Sequence, residues 1–336
     1  MPLILITFWA RLLRTLLAFV WLASLALFFS CENPLPAAPN TTGQPQSIGS
    51  EPFIVVLGIA QDAGYPQAGC QKDCCREAWG EPLKRRLASC IAVVDPSSAK
   101  AWMIDATPDF KDQLYRLENI LPGRQLSLAG IFLSHAHIGH YTGLVHLGRE
   151  VMGAKGTPVY AMPRMKSFLE NNGPWSQLVT LQNISLRNLA ADSMVILNRR
   201  IKIRPVPVPH RDEFSETVGF KIEGPQKSLL YIPDIDKWDL WEKDILHEIA
   251  KVDYALLDGS FYQNGEIPGR DMSEIPHPFI TESMEIFRAL PAGEKAKIHF
   301  IHFNHTNPVL LENSAAGKSV LEMGLGICGE GEVFWL

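Results

Sequence analysis

The sequence has 336 residues, of which 46% are hydrophobic and 20% charged, and its formal net charge is -5. This length allows one large domain or two small ones, and the composition is that of a folded protein. This charge gives no reason to expect nucleic-acid binding, which usually requires a basic face. The expected partner is a small-molecule substrate.

Residues 1–31 have the pattern of an export signal. Two arginines precede an apolar stretch from Leu16 to Phe29, which Ser30 and Cys31 follow. A basic region, a short apolar region and a small residue before a cleavage point are typical of secreted proteins. The alternative is an uncleaved membrane anchor, but the stretch is short for a span of roughly 20 residues. A cysteine after the small residue resembles the lipobox of bacterial lipoproteins.

These features predict an exported protein, anchored to the membrane by its N-terminus and facing the periplasm or the cell exterior. Residues 32–50 are rich in Pro, Thr, Gln, Ser and Gly, a composition that predicts a disordered tether. Residues 51–336 contain no second linker and are predicted to form one domain.

From Phe53 onward, short apolar strands alternate with helical segments, which predicts an α/β domain of two sheets flanked by helices. The predicted strands are 53–59, 90–95, 101–105, 130–134, 158–161, 201–208, 217–222, 228–232, 254–258, 297–303 and 333–336. The predicted helices are 108–117, 142–151, 164–171, 237–249 and 280–290.

Three histidines follow the apolar strand that ends at Ser134. His135 and His137 point the same way as the strand ends, because side chains two apart share a face. His140 comes three residues later, where a loop can aim all three imidazoles inward. Histidine is the commonest metal ligand, so the segment predicts a metal site.

The pattern His-x-His-x-x-His after a buried strand resembles the second motif of the metallo-β-lactamase superfamily, and later residues match its other motifs in order. The resemblance runs from about residue 53 to the C-terminus and implies a four-layered αβ/βα sandwich of two mixed sheets. It also implies two ion positions that share an aspartate. The first has the ligands His135, His137, His210 and Asp234, and the second has His140, His302 and Asp234.

Four shorter segments resemble the pyrroloquinoline quinone biosynthesis protein B branch and its phosphonate-pathway phosphodiesterase relatives: 64–67, 105–109, 269–272 and 304–308. The branch has a structural zinc held by Cys-x-Cys-x-x-Cys and, in some members, a histidine. Here Lys72 occupies the middle position, and Cys74 is the substitute. The implied ligands are Cys70, Cys74, Cys75 and His305; the alternative is that these cysteines are buried or paired.

The sequence departs from the superfamily at Gly139, where an aspartate usually precedes the third histidine. With one carboxylate fewer, the second ion is expected to bind weakly or not at all, and the first firmly. Zinc is the expected metal, and iron or manganese is compatible with the nitrogen and carboxylate ligands of the catalytic site.

Other residues are candidates for roles around the metal. His277 stands where relatives place a histidine that can protonate a leaving group, although it is equally well read as an ordinary loop histidine. Asp105 and Asp258 end apolar strands and are expected to brace the ligands through hydrogen bonds. Asp62 and Tyr65 are expected to line the substrate mouth.

We therefore predict a metal-dependent hydrolase in which metal-bound hydroxide attacks a phosphodiester or other ester, with Asp234 and His277 as the catalytic residues. The phosphodiester follows from the resemblance only. A second hypothesis is a protein of quinone cofactor maturation with oxidative metal chemistry, although export argues against that role. A third is a non-catalytic protein that binds a metal or a quinone.

Overall fold

A computed structural model describes residues 49–336. The predicted export signal and nearly all of the predicted tether lie outside these residues and stay predictions. Between residues 49 and 336, no helix is both long and apolar enough to cross a bilayer.

The described residues form two mixed seven-stranded sheets, with the strand orders β14-β1-β2-β3-β4-β5-β6 and β13-β12-β11-β10-β9-β8-β7. The first sheet contains β1 Phe53–Gly58, β2 Cys90–Asp95, β3 Lys100–Ile104, β4 Ser127–Phe132, β5 Thr157–Ala161, β6 Ile184–Asn188 and β14 Val333–Trp335. The second contains β7 Val195–Ile196, β8 Lys202–Pro207, β9 Val218–Glu223, β10 Ser228–Ile232, β11 Tyr254–Asp258, β12 Ile298–Ile301 and β13 Gly326–Ile327.

Successive side chains of a strand point to opposite faces of its sheet, so each sheet packs against the other sheet on one face and against helices on the other. Strand β1 shows how this gives four layers. Ile54 and Val56 point into the core between the two sheets, where they join Phe220 of β9. Phe53 and Val55 point the other way, into a core shared with the outer helices. Because both faces of β1 are buried, its sequence is continuously apolar. The predicted four-layered sandwich is confirmed.

Helices cover the outer faces of both sheets. Segments 110–118 and 163–171 pack on the first sheet, and segments 245–249 and 280–287 contribute to the core of the second. The α-helices are Asp73–Gly80, Phe110–Glu118, Ile138–Tyr141, Pro163–Asn171, Trp175–Thr180, Ile245–Ile249, Ile280–Phe287, Ala292–Lys295 and Ala315–Glu322. Short 3₁₀ helices span Pro82–Lys84, Thr142–Leu147, Trp238–Leu240, Met272–Glu274 and Pro308–Leu310.

The two helices predicted at 142–151 and 237–249 are wrong in extent. The first is a short α-helix followed by a 3₁₀ turn, because Gly143 docks on the loop after β3: its N–H donates to the Ala106 carbonyl at 2.9 Å. The second is split, because the Asp244 side chain accepts a hydrogen bond from the Leu246 N–H and so starts a new helix there.

One edge of the sandwich collects the ends of strands that run in the same direction. In the first sheet these are β1, β3 and β4, and in the second β8, β10, β11 and β12. Hydrogen bonds between the sheets close this edge, from Val218 N to Ser134 O at 3.1 Å and from Phe303 N to Ile59 O at 2.8 Å. The loops that follow these strands therefore meet at one place.

Candidate metal centre

The structure brings the six predicted ligands of the catalytic centre together at this edge. Asp234 lies between the two predicted ligand groups. Its Oδ1 is 3.2 Å from His210 Nε2, and its Oδ2 is 3.3 Å from His135 Nε2. The same Oδ2 is 3.7 Å from His140 Nε2 and 4.0 Å from His302 Nε2. One carboxylate thus faces histidines of both groups.

Four of the histidines are held in orientation through Nδ1. The pairs are His135 with Ser134 Oγ at 2.9 Å, His140 with Asp105 Oδ2 at 2.8 Å, His210 with Asp236 Oδ1 at 2.9 Å and His302 with Ser260 Oγ at 2.9 Å. A metal-ligating histidine typically fixes its other nitrogen in this way, which leaves Nε2 free for the ion.

Asp105 braces the centre, as the sequence predicts. Its carboxylate is fully buried, accepts from the backbone N–H of Ser134 at 2.8 Å and pairs with His140. Asp105 adopts a positive φ of 71°, and His302 one of 69°, so both are non-glycine residues in the left-handed region. Such conformations cost about 1–3 kcal/mol each and cluster at functional sites.

Several buried acceptor atoms at the centre have no hydrogen-bond partner among residues 49–336: Nε2 of His140, His210 and His302, and Oδ1 of Asp62 and Asp234. Leaving a buried polar atom unpaired costs about 1–3 kcal/mol. Unpaired nitrogen and carboxylate atoms that face one another are the donor set that a divalent cation satisfies, so the residues fit a metal.

Asp62 is the site residue that the sequence analysis misplaced. Its Oδ1 lies 3.3 Å from His140 Nε2 and 3.9 Å from His302 Nε2, so it lies among the ligands themselves. A carboxylate from the first loop thus lies beside the second ligand group, which the sequence was expected to leave with one carboxylate fewer. Tyr65 is also misplaced: it is buried, and its hydroxyl donates to the Cys74 carbonyl at 2.6 Å.

The surroundings keep the shared aspartate ionised. Burial by itself would raise the pKa of Asp234, but His210, His277 and His302 outweigh burial and hold it well below the usual value. Burial also lowers the pKa of His210, yet Asp234 and Asp236 raise it to about 10. The centre is thus an anionic carboxylate enclosed by imidazoles.

His277 lies beside the first ligand group. Its Nδ1 is 2.9 Å from Asp258 Oδ2 and 3.1 Å from Asp234 Oδ1. Asp258 is fully buried and is itself fixed by the backbone N–H groups of Ile235 and Ser260. Burial lowers the pKa of His277, but the two carboxylates outweigh it and raise the pKa above the usual value.

The centre opens to solvent beside His137. Its side chain is 14% exposed, whereas those of His135 and His302 are almost completely buried. Its Nε2 lies 3.5 Å from Oε2 of the exposed Glu213. The adjacent Phe214 is exposed as well, so a substrate that reaches the centre from this side meets one acidic and one apolar side chain.

The predicted structural zinc ligands also come together, in a separate cluster. Cys70 Sγ is 3.7 Å from Cys74 Sγ, and His305 Nδ1 lies 3.7 Å from Cys74 Sγ and 3.3 Å from Cys75 Sγ. Zn–S bonds of about 2.3 Å place neighbouring tetrahedral ligands about 3.6–3.8 Å apart, so the cluster fits zinc. The five described cysteines are free of disulfides.

The helix Asp73–Gly80 carries Cys74 and Cys75 to this cluster, and it was not predicted from the sequence. Burial raises the pKa of the Cys75 thiol to about 12. His305 arrives from the loop after β12, three residues beyond His302. The cluster therefore joins the first loop of the domain to the strand end that carries a ligand of the centre.

Comparison with known proteins agrees with this geometry. Residues 102–300 match the beta-lactamase superfamily domain. Coenzyme PQQ synthesis protein B of Methylobacterium sp. (strain 4-46) is 25% identical over 303 residues, which cover 82% of this chain and 97% of that protein. Residues 102–300 make up more than half of the chain.

Two solved structures share the fold. Zn²⁺-bound PqqB from Methylobacterium extorquens has a TM-score of 0.72 and 23% identity, and the match covers 84% of this chain and all of that one (100%). A diphosphatase from the PhnP family has a TM-score of 0.59 and 22% identity, with 85% and 97% covered. The domain match, together with this fold and its histidine-rich strand ends, shows that the chain belongs to the metallo-β-lactamase superfamily.

Proposed function

We propose that the protein is a metal-dependent hydrolase of a phosphodiester or another ester. One observation carries the proposal: two adjacent groups of buried ligands share the carboxylate of Asp234. Zinc in such a site lowers the pKa of a water ligand toward neutrality and stabilises negative charge on the reacting group. Iron or manganese would suit the same nitrogen and carboxylate ligands.

The protein's own residues prepare the site for this chemistry. His135, His140 and His210 present Nε2 because their Nδ1 atoms are occupied, and the buried surroundings exclude bulk water from the ligands. Asp258 holds His277 through Nδ1, which leaves Nε2 as the atom that carries a proton to the leaving group. The open side at His137 admits the substrate.

Testing the proposal requires a panel of chromogenic phosphodiester, carboxylic ester and lactam substrates. The protein is first stripped with a chelator and then reloaded with zinc, iron or manganese. We expect turnover of at least one ester class only after reloading. If the reloaded protein turns over none of the panel, the hydrolase proposal fails.

A second candidate function is a PqqB-like role in quinone cofactor maturation. It is favoured by the match to coenzyme PQQ synthesis protein B over 97% of that protein's length. A non-catalytic role in binding a metal or a quinone is the third. Quinone binding without turnover, measured by fluorescence quenching and by the same panel, would favour these alternatives over the hydrolase.

Replacing His277 by Gln is expected to affect substrates according to their leaving group. An alkoxide must be protonated as it departs, so kcat for an alkyl ester should fall about 100-fold or more. A nitrophenolate needs little protonation, so its kcat should change far less. His247→Gln, an exposed histidine outside the centre, is the control. Equal losses for both leaving groups would show that His277 has only a structural role.

A further inference from the structure

We propose that Asp62 is the second carboxylate ligand of the ion held by His140, His302 and Asp234, and that it replaces the aspartate missing at Gly139. This inference rests on the proposed function insofar as that function places a metal in the centre. The carboxylate ligand then comes from the loop that contains Asp62, 77 residues before Gly139, where the superfamily motif usually has an aspartate.

Three unpaired atoms converge at the proposed position. Asp62 Oδ1, His140 Nε2 and His302 Nε2 are all buried, and none of them has a hydrogen-bond partner within residues 49–336. The oxygen lies 3.3 Å from the first nitrogen and 3.9 Å from the second. Neighbouring ligands of a tetrahedral zinc lie about 3.3–3.6 Å apart, since Zn–N and Zn–O bonds are about 2.0–2.2 Å. The distances from Asp62 Oδ1 to the two nitrogens are longer than those of direct hydrogen bonds and closer to those between ligands of one ion.

Gly139 and Asp62 exclude each other sterically. A Cβ atom built on Gly139 would overlap the Cα, Cβ and Oδ1 atoms of Asp62, which are the three nearest heavy atoms to it. The φ of Gly139 is not in the left-handed region, so the backbone itself would accept another residue. Position 139 must therefore be glycine because Asp62 is so close, and not because of its backbone conformation. Asp62 fills the space that a side chain at position 139 would take.

The loop that carries Asp62 is fixed to the strand end that carries His302. Backbone hydrogen bonds join Gln61 N to Phe303 O at 2.8 Å and Phe303 N to Ile59 O at 2.8 Å. Asp62 itself has a positive φ of 23°, an unusual conformation for a non-glycine residue, which the surrounding hydrogen bonds maintain. These contacts fix the backbone from which the Asp62 carboxylate projects.

With Asp62 in place of the aspartate that is missing at Gly139, the second ligand group regains a negative charge. Asp62, His140 and His302 form one cluster, and Asp234 Oδ2 lies 3.7 Å from His140 Nε2 and 4.0 Å from His302 Nε2. The group then has two carboxylates and two histidines, the same number of anionic ligands as the pattern that the sequence resembles. The second ion should accordingly bind with an affinity similar to that of the first, rather than weakly.

Metal content of an Asp62→Asn variant tests the inference. We expect the stripped wild-type chain to take up two zinc ions at the centre in a titration, and Asp62→Asn to take up the first normally and the second at least 10–100-fold more weakly. Elemental analysis after dialysis should show one zinc fewer per chain. Asp112→Asn, which removes an exposed aspartate on the helix Phe110–Glu118, should behave as wild type.

Gly139→Ala provides a second variant that acts through the same contact. The added methyl group must displace Asp62, so we expect the same selective weakening of the second ion. The double variant Asp62→Asn/Gly139→Ala should bind that ion no more weakly than either single variant. Circular dichroism and the thermal midpoint of each variant report whether the fold is retained.

Unchanged affinity for the second ion in Asp62→Asn would overturn the inference, and so would equal loss of both ions in a folded variant. Additive losses in the double variant would overturn the proposed steric link. These readouts need no substrate. Selective ion loss without any hydrolysis would contradict only the proposed function, whereas hydrolysis with an unaffected second ion would contradict only the role of Asp62.

Discussion

Replacing Asp234 by Asn is expected to abolish turnover and to weaken metal binding at both positions of the centre. Oδ1 of Asp234 faces His210, and its Oδ2 faces His135, His140 and His302, so its charge is shared by both groups. An active-site metal contributes several kcal/mol of transition-state stabilisation, and each ~1.4 kcal/mol is a factor of ten in rate. We therefore expect kcat/KM to fall about 1,000-fold or more.

The measurement is kcat/KM at saturating zinc, together with the zinc content of the same sample. Asp239→Asn is the matched control, because Asp239 lies on the same segment but is exposed. It should retain wild-type turnover and zinc content. Full turnover in a folded Asp234→Asn protein would show that the reaction does not depend on this carboxylate.

Replacing Cys75 by Ser is expected to have the largest effect on stability. The Cys75 side chain is fully buried, and its sulfur lies 3.3 Å from His305 Nδ1, so we expect the variant to lose the zinc that is predicted for the cysteine cluster. Structural zinc contributes directly to folding. A loss of about 5 kcal/mol would lower the thermal midpoint of a domain of this size by on the order of 10 °C.

Calorimetry and elemental analysis together check this prediction. Cys90→Ala is the control: it removes another fully buried cysteine, one that lies outside the cluster. It should lower the thermal midpoint through the cavity it leaves, but it should keep all its zinc. A Cys75→Ser protein with wild-type zinc content would show that the cluster does not hold a metal.

The sequence predicts those parts of the site that follow strand ends. His135, His210 and Asp234 each follow an apolar strand, and strands that run in one direction must deliver their ends to one edge. The resemblance to the superfamily grouped these residues, and the common direction of their strands is the physical reason why they meet. Asp105 also ends an apolar strand and was expected to brace the ligands; in the structure its partner is His140.

Asp62 could not be placed from the sequence, because its role depends on a contact between distant loops. Nothing local to residues 59–65 indicates that Phe303 pairs with Ile59 and brings this loop beside His302. The one available signal was the combination of a missing aspartate at Gly139 with an unassigned aspartate in the first loop. The steric complementarity of the two residues becomes visible only in three dimensions.

The missed secondary structure has similar causes. Strands β7 and β13 have two residues each, too few for an alternating pattern to be recognised. The helix Asp73–Gly80 has eight residues and buries only Cys75 and Ala78, too short a pattern for helical periodicity to be recognised, and it begins at the cysteine cluster. Tertiary contacts determine these elements, so local sequence preference does not predict them.

We propose that this chain holds two metal ions that share the carboxylate of Asp234. Anomalous diffraction at the zinc edge, from crystals of the zinc-loaded protein, tests it most directly. We expect two peaks at the centre, one beside His135, His137 and His210 and the other beside His140, His302 and Asp62, with a further peak at the cysteine cluster. A cysteine-cluster peak accompanied by one peak or none at the centre would contradict the claim.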